Sequence, residues 1–440
     1  ELDLKNCGLT ELPFDVLLLH RLVKLDASNN QLSSLPSFQG IFPDLEIVFL
    51  SNNSFSTIPK SLASLGKLRI LGMRDNMVSS IDVANLPKTN LENLILTHNH
   101  IATLPPDIGE LQGLRKLMLS HNQIHTLHPN LQKLNRLEMV RLANNQIAAL
   151  PEYLASLPRL AWIAASGNPF SSAAFREITG NKPVIPLDDV TIGETLGQGS
   201  GGTTYRASYK GTRVAVKLWK HQGRFSDGSP EGEIRTHSIL SHSNIAGSIA
   251  SLAAPHVGLV MYYLDGAHAL GARPDLDSMT QDLPPHWRGK NYEAFHPDKL
   301  IPTALSLAQA LAYMHQRGFA HGDIYMHNTL EAGGDDATEP SRGLQIEQAK
   351  VYLSDLGAAW AYDPRKHPWV EKIEVAAFGR LMRDLADFAV FTQFTPAGHA
   401  NLMTLRDIAN KLLVHDHRSR PPFSAVVGLL DQAKRRTEAS

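Results

Sequence analysis

Residues 1–170 follow one repeating pattern of hydrophobic and polar positions. Apolar residues recur as Leu-x-x-Leu-x-Leu, and one position follows each run. The number of residues from this position to its next occurrence is constant and equals the number from Asn30 to Asn53. A fixed period of this length indicates a solenoid whose repeats stack on their neighbours. The alternating leucines predict a short strand with inward side chains in each repeat. The repeated position is expected to satisfy backbone groups at the turn after the strand; it is occupied by Cys7, Asn30, Asn53, Asn76, Asn99, Asn122, Asn145 and Asn168.

This pattern resembles the leucine-rich repeat family, as the segments "LENLILTHNHIATLP" and "LRKLMLSHNQIHTLH" illustrate. The resemblance covers residues 1–170 as eight repeats, and it implies a solenoid with a concave parallel sheet. We interpret the asparagines as structural rather than ligand-binding. Function in this half is therefore expected on the outward-facing strand positions.

The outward positions form an apolar row along the predicted concave face. Exposed apolar patches mark interaction sites, so a protein substrate or regulator is expected to bind here. The alternative is that the second half of the chain packs on the same face. The row consists of Ile47, Phe49, Ile70, Ile95, Met118, Met139 and Trp162.

The pattern changes after a connector at 171–187, and residues 188–435 form a second predicted domain. Its first segment, "IGETLGQGSGGTTYRASYKGTRVAVKLWK", contains Gly197-x-Gly199-x-x-Gly202 followed by Lys217. Glycines of this spacing also occur in dinucleotide folds, where a helix follows them. Here alternating residues and a further turn at Gly211 predict a β-hairpin. Glycine lets such a hairpin approach phosphate groups closely.

Four further motifs follow in order. "EIRTHSILSHSNI" contains Glu233, with Glu231 as a nearby rival; "LVMYYLDG" is typical of a strand. An amphipathic helix predicted at 297–317 precedes "HGDIYMHN", in which Asp323 and Asn328 are five residues apart. "YLSDLGAA" then supplies Asp355-Leu356-Gly357; the remaining residues singled out in these motifs are Met261, Tyr263 and His327.

Together these motifs resemble the protein kinase family over residues 188–435. The resemblance implies a bilobal fold and binding of ATP and Mg²⁺. It assigns Lys217 to the ATP phosphates with Glu233 as its partner, and Asp323 to the acceptor hydroxyl. The adenine pocket would use Met261, Tyr263 and Leu264, the glycine hairpin would cover the phosphates, and Asn328 and Asp355 would bind magnesium.

Several positions depart from the family pattern. Gly322 replaces the arginine that receives an activation-loop phosphate, so that route of regulation is not expected. Lysine is absent at Tyr325, and His327 stands where tyrosine-kinase-like enzymes carry a cation; a role at the phosphoryl group and a role as a hydrogen-bonded loop residue both remain open. The Ala-Pro-Glu tripeptide is missing, the segment from Gly357 to Glu374 is severely shortened, and residues 332–348 form an insertion. Arg420 in "HDHRSRPPF" is expected to be a buried structural arginine.

Composition narrows the function further. Lys plus Arg is 42 and Asp plus Glu is 43, a net charge of -1, so no general attraction to nucleic acid is expected. The one cysteine, Cys7, excludes an internal disulfide and favours a reducing compartment. No apolar run reaches the ~20 residues of a membrane helix. A cytoplasmic protein is expected, or an effector delivered into a host cytosol.

The sequence thus predicts a multidomain chain in which a leucine-rich-repeat solenoid (α/β) precedes a bilobal protein-kinase-like domain (α+β). We expect a kinase that transfers the ATP γ-phosphate to a hydroxyl of a protein recruited by the repeats, serine or threonine more readily than tyrosine. Two alternatives remain. One is a kinase-like scaffold without catalysis, and the other is a small-molecule kinase, which the short substrate-positioning segment would suit.

Overall fold

The computed structural model describes residues 1–176, 180–199, 201–220, 225–284, 297–333, 350–389 and 396–438. The chain divides into two compact units. The first comprises Glu1–Ala173 with Ser226–Gly228, and the second comprises Ala174–Phe225 with Ser229–Ser440. Within the described ranges, no helix is both long and apolar enough to cross a bilayer.

The first unit is built on a parallel sheet of eight strands in chain order, which confirms the predicted solenoid. Register partners lie one repeat apart, as in the series Leu25, Val48 and Leu71, and these central side chains are fully buried. Short 3-10 helices return the chain between strands, for example Pro106–Glu110. The strands are β1 (Leu2–Asp3), β2 (Lys24–Asp26), β3 (Ile47–Phe49), β4 (Ile70–Gly72), β5 (Asn93–Ile95), β6 (Lys116–Met118), β7 (Met139–Arg141) and β8 (Trp162–Ala164).

The repeated asparagines hold the turns, as predicted. The Asn122 side chain donates to the carbonyls of Leu96 at 2.9 Å and Leu119 at 3.0 Å, and its Oδ1 accepts from the Ile101 N–H at 3.0 Å. The preceding residue of each described turn has positive φ, for example His121 at 57°. Backbone groups that the tight turn leaves without a partner are thereby satisfied inside the core.

The outward row is less exposed than predicted. Ile70, Met139 and Trp162 are buried, whereas Ile47, Phe49, Ile95 and Met118 stay partly exposed. In the parallel register Met139 lies beside Trp162, so these large side chains shield each other.

Three residues from a distant stretch of sequence belong to the same unit and contact the last repeats. Asp227 Oδ1 lies 3.0 Å from Arg141 Nε, and the Gly228 carbonyl accepts from Asn144 at 3.1 Å. The concave face is therefore a mixed surface rather than a continuous apolar row.

The boundary between the two units in the sequence falls within α1 (Pro169–Arg176). The second unit contains a six-stranded sheet of order β10-β11-β12-β14-β13-β9. All of its pairs are antiparallel except β13 with β9. Val214, Val216 and Val260 form its buried core together with Ile185 from β9. The bounds are β9 (Val184–Ile185), β10 (Val190–Gln198), β11 (Gly202–Tyr209), β12 (Thr212–Trp219), α2 (Pro230–Ile239), β13 (Ser248–Leu252) and β14 (Gly258–Tyr262).

The rest of the second unit is mainly helical. The predicted amphipathic helix is present as α3 and is buried along most of its length. Beside the helices lie a three-stranded sheet, β15-β17-β18, and a two-stranded one, β16-β19. The bounds are β15 (His268–Ala269), α3 (Leu300–Gln316), β16 (Phe319–Ala320), β17 (Thr329–Ala332), β18 (Lys350–Leu353), β19 (Trp360–Ala361), α4 (Trp369–Phe388), α5 (Pro396–Leu412) and α6 (Phe423–Glu438).

Candidate active site

Lys217 and Glu233 form a buried ion pair between β12 and α2. Lys217 Nζ lies 2.7 and 2.9 Å from the two carboxylate oxygens of Glu233. Burial acts to lower the Lys217 pKa, but the adjacent carboxylate outweighs it and the pKa is raised, so the ammonium stays charged. Helix α2 is capped by Ser229, whose hydroxyl accepts from the Gly232 N–H, and this cap fixes the start of the helix that carries Glu233. Glu231, the rival in the sequence, is exposed.

The three glycines of the predicted hairpin have different surroundings. Gly199 N–H donates to the Gly202 carbonyl at 2.9 Å, which closes the turn between β10 and β11. A Cβ on Gly202 would lie 2.4 Å from the Leu218 carbonyl oxygen, so Gly202 is required by packing against β12. A Cβ on Gly197 would meet nothing within 4 Å. Space therefore remains at the hairpin for close approach of a ligand to the backbone.

The segment predicted to contact adenine follows β14. Met261, three residues before Leu264 in the sequence, pairs with Ala215 of β12. The Tyr262 N–H already donates to Gly247, at 3.1 Å. The Tyr263 hydroxyl accepts from Arg206 at 3.0 Å, and the Leu264 carbonyl accepts weakly from Ala267.

The loop "HGDIYMHN" is held from two directions. The buried Glu374 carboxylate of α4 accepts from the N–H groups of His321, at 2.8 Å, and Gly322. Asn328 Nδ2 donates to both the carbonyl and the Oδ2 of Asp323, each at 2.9 Å. The Asn328 carbonyl in turn accepts from Ser354, which precedes Asp355. Asp323 and Asn328 are thus brought together, and Asn328 is tied to the end of β18.

Asp355 adopts the left-handed conformation, with φ of 55°, and is separated from β18 only by Ser354. Residues held in this sparsely populated region occur often at ligand sites. Its Oδ1 lies 3.9 Å from Lys217 Nζ. Partial burial acts to raise the Asp355 pKa, but the Lys217 charge outweighs it and the pKa is lowered, so the carboxylate is ionised.

The structure adds two charged residues that the sequence patterns do not identify. Asp282 is buried and its carboxylate binds His327, with 2.6 Å between Oδ1 and Nδ1. Arg273 is exposed, and its charge acts on the pKa values of both Lys217 and Asp355. Both lie in a stretch without hydrophobic periodicity or a recurrent motif, so no local signal could have found them.

The short segment after Asp355 is packed rather than open. Tyr362 is buried, and its hydroxyl lies 2.7 Å from His315 Nδ1.

Arg420 is buried as predicted. It binds the carbonyls of Val414 and Lys372, both at 3.0 Å, instead of a glutamate. Burial lowers the pKa of Arg420 to about 10, which still leaves it charged at neutral pH. The predicted insertion at 332–348 lies outside the described residues apart from its first two positions.

Comparison with known proteins agrees with this geometry. Residues 190–376 match the protein kinase domain family, and residues 20–64 and 89–147 match two leucine rich repeat families. The chain is 25% identical to the probable serine/threonine-protein kinase SIS8 of Arabidopsis thaliana over 289 residues, 57% of this chain and 26% of that protein. It is 27% identical to the serine/threonine-protein kinase CTR1 of the same plant over 237 residues, 50% of this chain and 27% of that protein. Mitogen-activated protein kinase kinase kinase 11 of Rattus norvegicus is 26% identical over 187 residues, 40% of this chain and 19% of that protein. The chain spans about a quarter of the length of the first two relatives.

Proposed function

This chain carries leucine-rich repeats followed by a protein kinase domain, and we propose that it is an ATP-dependent protein kinase. It transfers the γ-phosphate to a serine or threonine hydroxyl of a protein recruited by the repeats. The observation that carries this proposal is the Lys217–Glu233 pair, 2.7 Å apart, next to Asp355. An isolated structural ion pair would not need a second carboxylate beside it.

Lys217 is the residue proposed to bind the α- and β-phosphates. Its three N–H groups exceed what Glu233 accepts, and its charge is retained despite burial. Glu233 keeps the ammonium in one position, so the orientation is fixed before nucleotide binds. The glycine hairpin then offers backbone N–H groups to the phosphates, because Gly197 leaves open space there.

The donor set near Asp355 fits magnesium. Mg²⁺ prefers oxygen ligands and is usually held by one or two carboxylates together with substrate phosphates. Asp355 supplies an ionised carboxylate. The Asn328 nitrogen is committed to Asp323, and its amide oxygen, which has no hydrogen bond within the described residues, would bind the metal. When bound, magnesium would neutralise the phosphate charge.

Asp355→Ala is expected to abolish magnesium-dependent ATP binding, measured by calorimetry. An unchanged ATP affinity would contradict this metal assignment.

Asp323 is proposed to orient the acceptor hydroxyl and take its proton. Its Oδ2 accepts from the Asn328 amide at 2.9 Å, which fixes the orientation of the carboxylate. Because Asp323 needs no contact with the nucleotide, its loss should slow transfer without weakening ATP binding.

We further propose that adenine binds at Met261, Tyr263 and Leu264. The Tyr262 N–H is engaged by Gly247, so the backbone groups of Tyr263 and Leu264 are the better candidates for adenine.

We also propose a cytoplasmic location, because the one cysteine, Cys7, favours a reducing compartment.

The central test is transfer of labelled γ-phosphate by the purified chain to protein mixtures and to itself. Asp323→Asn should lower the rate by ~10² to 10⁴ while ATP affinity stays near the parent value. Asp407→Asn, the same change at an exposed site on α5, is the matched control. Phosphoamino-acid analysis separates serine and threonine from tyrosine. A parent that binds magnesium-ATP but transfers to no protein would favour a scaffold, and transfer only to small hydroxyl compounds would favour a small-molecule kinase.

Recruitment by the repeats is tested on the row that remains exposed. Phe49, Ile95 and Met118 are replaced together by Asp; they lie outside the solenoid core, so the fold should persist. Phosphorylation of the recruited protein should then fall while ATP hydrolysis is unchanged. Met77→Asp, at an exposed methionine outside the strands, is the control. Equal loss of both activities would contradict a role limited to recruitment.

A further inference from the structure

The connector between the repeats and the kinase domain contacts α2, the helix that carries Glu233. From Ala174 onward the connector belongs to the second unit, and its residues 174–176 and 180–187 are described. The match to the protein kinase domain family begins only at residue 190. The contacts that the connector makes with α2 therefore lie outside the part of the chain that the family match covers.

Lys182 of the connector binds the carboxyl end of α2. Its Nζ donates to the carbonyls of His237 at 2.5 Å and Leu240 at 3.1 Å, and to the hydroxyl of Ser248 on β13 at 3.4 Å. The last carbonyls of a helix have no partner within the helix, and a cation there also meets the negative end of the helix dipole. Three acceptors match the three N–H groups of the ammonium. Lys182 therefore ties the end of α2 to the sheet.

Phe175 contacts the middle of the same helix. Arg235 Nη2 on α2 donates to the Phe175 carbonyl at 2.8 Å, and the guanidinium carbon lies 4.8 Å from the centre of the Phe175 ring. Phe175 also packs edge-on against Phe319 of β16, with 5.3 Å between ring centroids. Phe319 is fully buried and lies two residues before His321, where the loop "HGDIYMHN" begins. Phe175 thus links α2 to the strand that leads into this loop.

The backbone of the connector is itself held in place. β9 pairs with β13, and beside this pair the Ser251 N–H donates to the Pro183 carbonyl at 3.0 Å. At Gly180, an added Cβ would lie 2.0 Å from Ser238 Oγ and 2.6 Å from Ser238 Cβ, so the connector approaches α2 closely there. Lys182 lies between these two contacts in the sequence. Its position relative to α2 is therefore fixed from both sides.

The helical turn that Lys182 binds is the one that follows Glu233. His237 is four residues after Glu233, so the two side chains share one face of α2, and both are buried. Glu233 Oε1 lies 2.7 Å from Lys217 Nζ. A rotation or shift of α2 would lengthen this distance, because Glu233 would move with the helix. The orientation of α2 thus determines whether the ion pair with Lys217 forms.

We propose that Lys182 and Arg235 are positioning residues, through which the connector holds α2 in the orientation that pairs Glu233 with Lys217. The inference rests on the proposed kinase function, because the ion pair is the part of the site that it concerns. Neither residue belongs to the proposed nucleotide or acceptor site, and both act through Glu233. Functional side chains need supporting contacts that hold them to within about 0.5 Å, and the connector supplies such contacts here.

The first test measures kcat of the full chain in Lys182→Met and Arg235→Gln. Misplacement by about 1 Å at an active site can cost ~10²-fold. We expect kcat to fall by about 10- to 100-fold in Lys182→Met, and by less in Arg235→Gln because Arg235 is exposed. Lys411→Met and Arg418→Gln, the same changes at exposed sites on and after α5, are the matched controls and should retain the parent rate. A parent-like kcat in Lys182→Met would overturn the proposal.

The second test separates positioning from a purely structural role. Lys182→Met is combined with Glu233→Ala, which removes the carboxylate that Lys182 is proposed to position. Residues that act through one contact are not additive. Lys182→Met should therefore lower kcat in the parent but change it by less than about twofold in the Glu233→Ala background. A loss of the same size in both backgrounds would overturn the proposal.

A distance measurement reads the orientation of α2 without catalysis, so it remains usable if the parent transfers no phosphate. Spin labels are attached to Glu231→Cys on α2 and Thr212→Cys on β12, both exposed, in a Cys7→Ser background that leaves no other cysteine. Pulsed electron paramagnetic resonance should give one narrow distance distribution in the parent and in Lys411→Met, and a broader or shifted one in Lys182→Met. An unchanged distribution in Lys182→Met would end this inference alone. A parent that binds magnesium-ATP but transfers to no protein would end the kinase proposal.

Discussion

The asparagine ladder of the repeats and the polar set around Lys217 are both made of buried polar side chains, but their partners differ. Asn122 binds backbone groups within its own and the neighbouring repeats, at sequence distances of 3, 21 and 26 residues. Lys217, Glu233 and Asp355 bind one another and come from three separate elements. The ladder satisfies backbone hydrogen-bonding groups of the chain itself, whereas the second set keeps charged side chains available for a ligand. The difference teaches which buried polar groups serve folding and which are left for a ligand.

The largest effect is expected at Lys217. Lys217→Met keeps the length of the side chain but removes the charge, so Glu233 is left buried without its partner and the phosphates lose a cation. Loss of one preorganised donor costs ~10² to 10³ in rate, and phosphoryl transfer should fall at least this far. The melting of the repeat unit should not change. Rates measured with saturating magnesium-ATP test this, and a variant within tenfold of the parent would show that Lys217 is only structural.

The converse result is expected for Asn122→Ala. The change removes the hydrogen bonds of Asn122 from the core; the carbonyls of Leu96 and Leu119 keep Asn99 and Asn145 as donors, but the Ile101 N–H loses its partner. Each lost hydrogen bond costs about 0.5–1.5 kcal/mol, and a buried donor left unsatisfied costs about 1–3 kcal/mol. We expect the free energy of unfolding of the repeat unit to drop by about 3 kcal/mol or more. Transfer per folded molecule should be unchanged. Asn135→Ala, at an exposed position on the same repeat array, is the control. An equal loss of unfolding free energy in this control would mean that the ladder asparagines stabilise the unit no more than an exposed asparagine does.

This contrast also explains what the sequence could predict. The ladder returns once in every repeat, so its eight-stranded sheet and its buried asparagines follow from the period alone. The pairing of Lys217 with Glu233 was predicted from a resemblance, because the positions are 16 residues apart in different elements. Asp282 was missed, since its partner is 45 residues away and no local pattern announces the contact. The burial of Trp162 was missed because it depends on neighbouring repeats.

A smaller effect is expected from pH, through His237 on α2. Burial, followed by the charges of Lys217 and Lys182, lowers the His237 pKa from 6.5 to about 3. The unfolded chain therefore binds a proton below pH 6.5 that the folded chain does not, and stability falls as the pH drops from 6.5 towards 3. The slope is about 1.4 kcal/mol per pH unit for one proton.

Hydrogen exchange of the α2 amides, followed from pH 7 to pH 5, tests this slope separately from the repeats. His237→Gln should flatten it, because glutamine does not titrate. His256→Gln, at an exposed histidine, should leave it unchanged. A slope that survives His237→Gln would have to come from other buried groups.

The smallest effect is expected at Tyr362, the one hydroxyl side chain between Ala358 and Ile373. Burial, followed by the charges of Glu371 and Glu374, raises its pKa well above 10, and its hydroxyl is engaged with His315. A kinase could not reach this group without unfolding the segment, and Gly322 supplies no cation for a phosphate. Tyr362→Phe should therefore cost about 1 kcal/mol of stability, the value of one hydrogen bond, and leave the transfer rate within about twofold. Phosphatase treatment of the parent should change nothing. If either treatment silences the enzyme, the segment after Asp355 is a regulatory loop after all, and the sequence departures at Gly322 and at the shortened segment have been read wrongly.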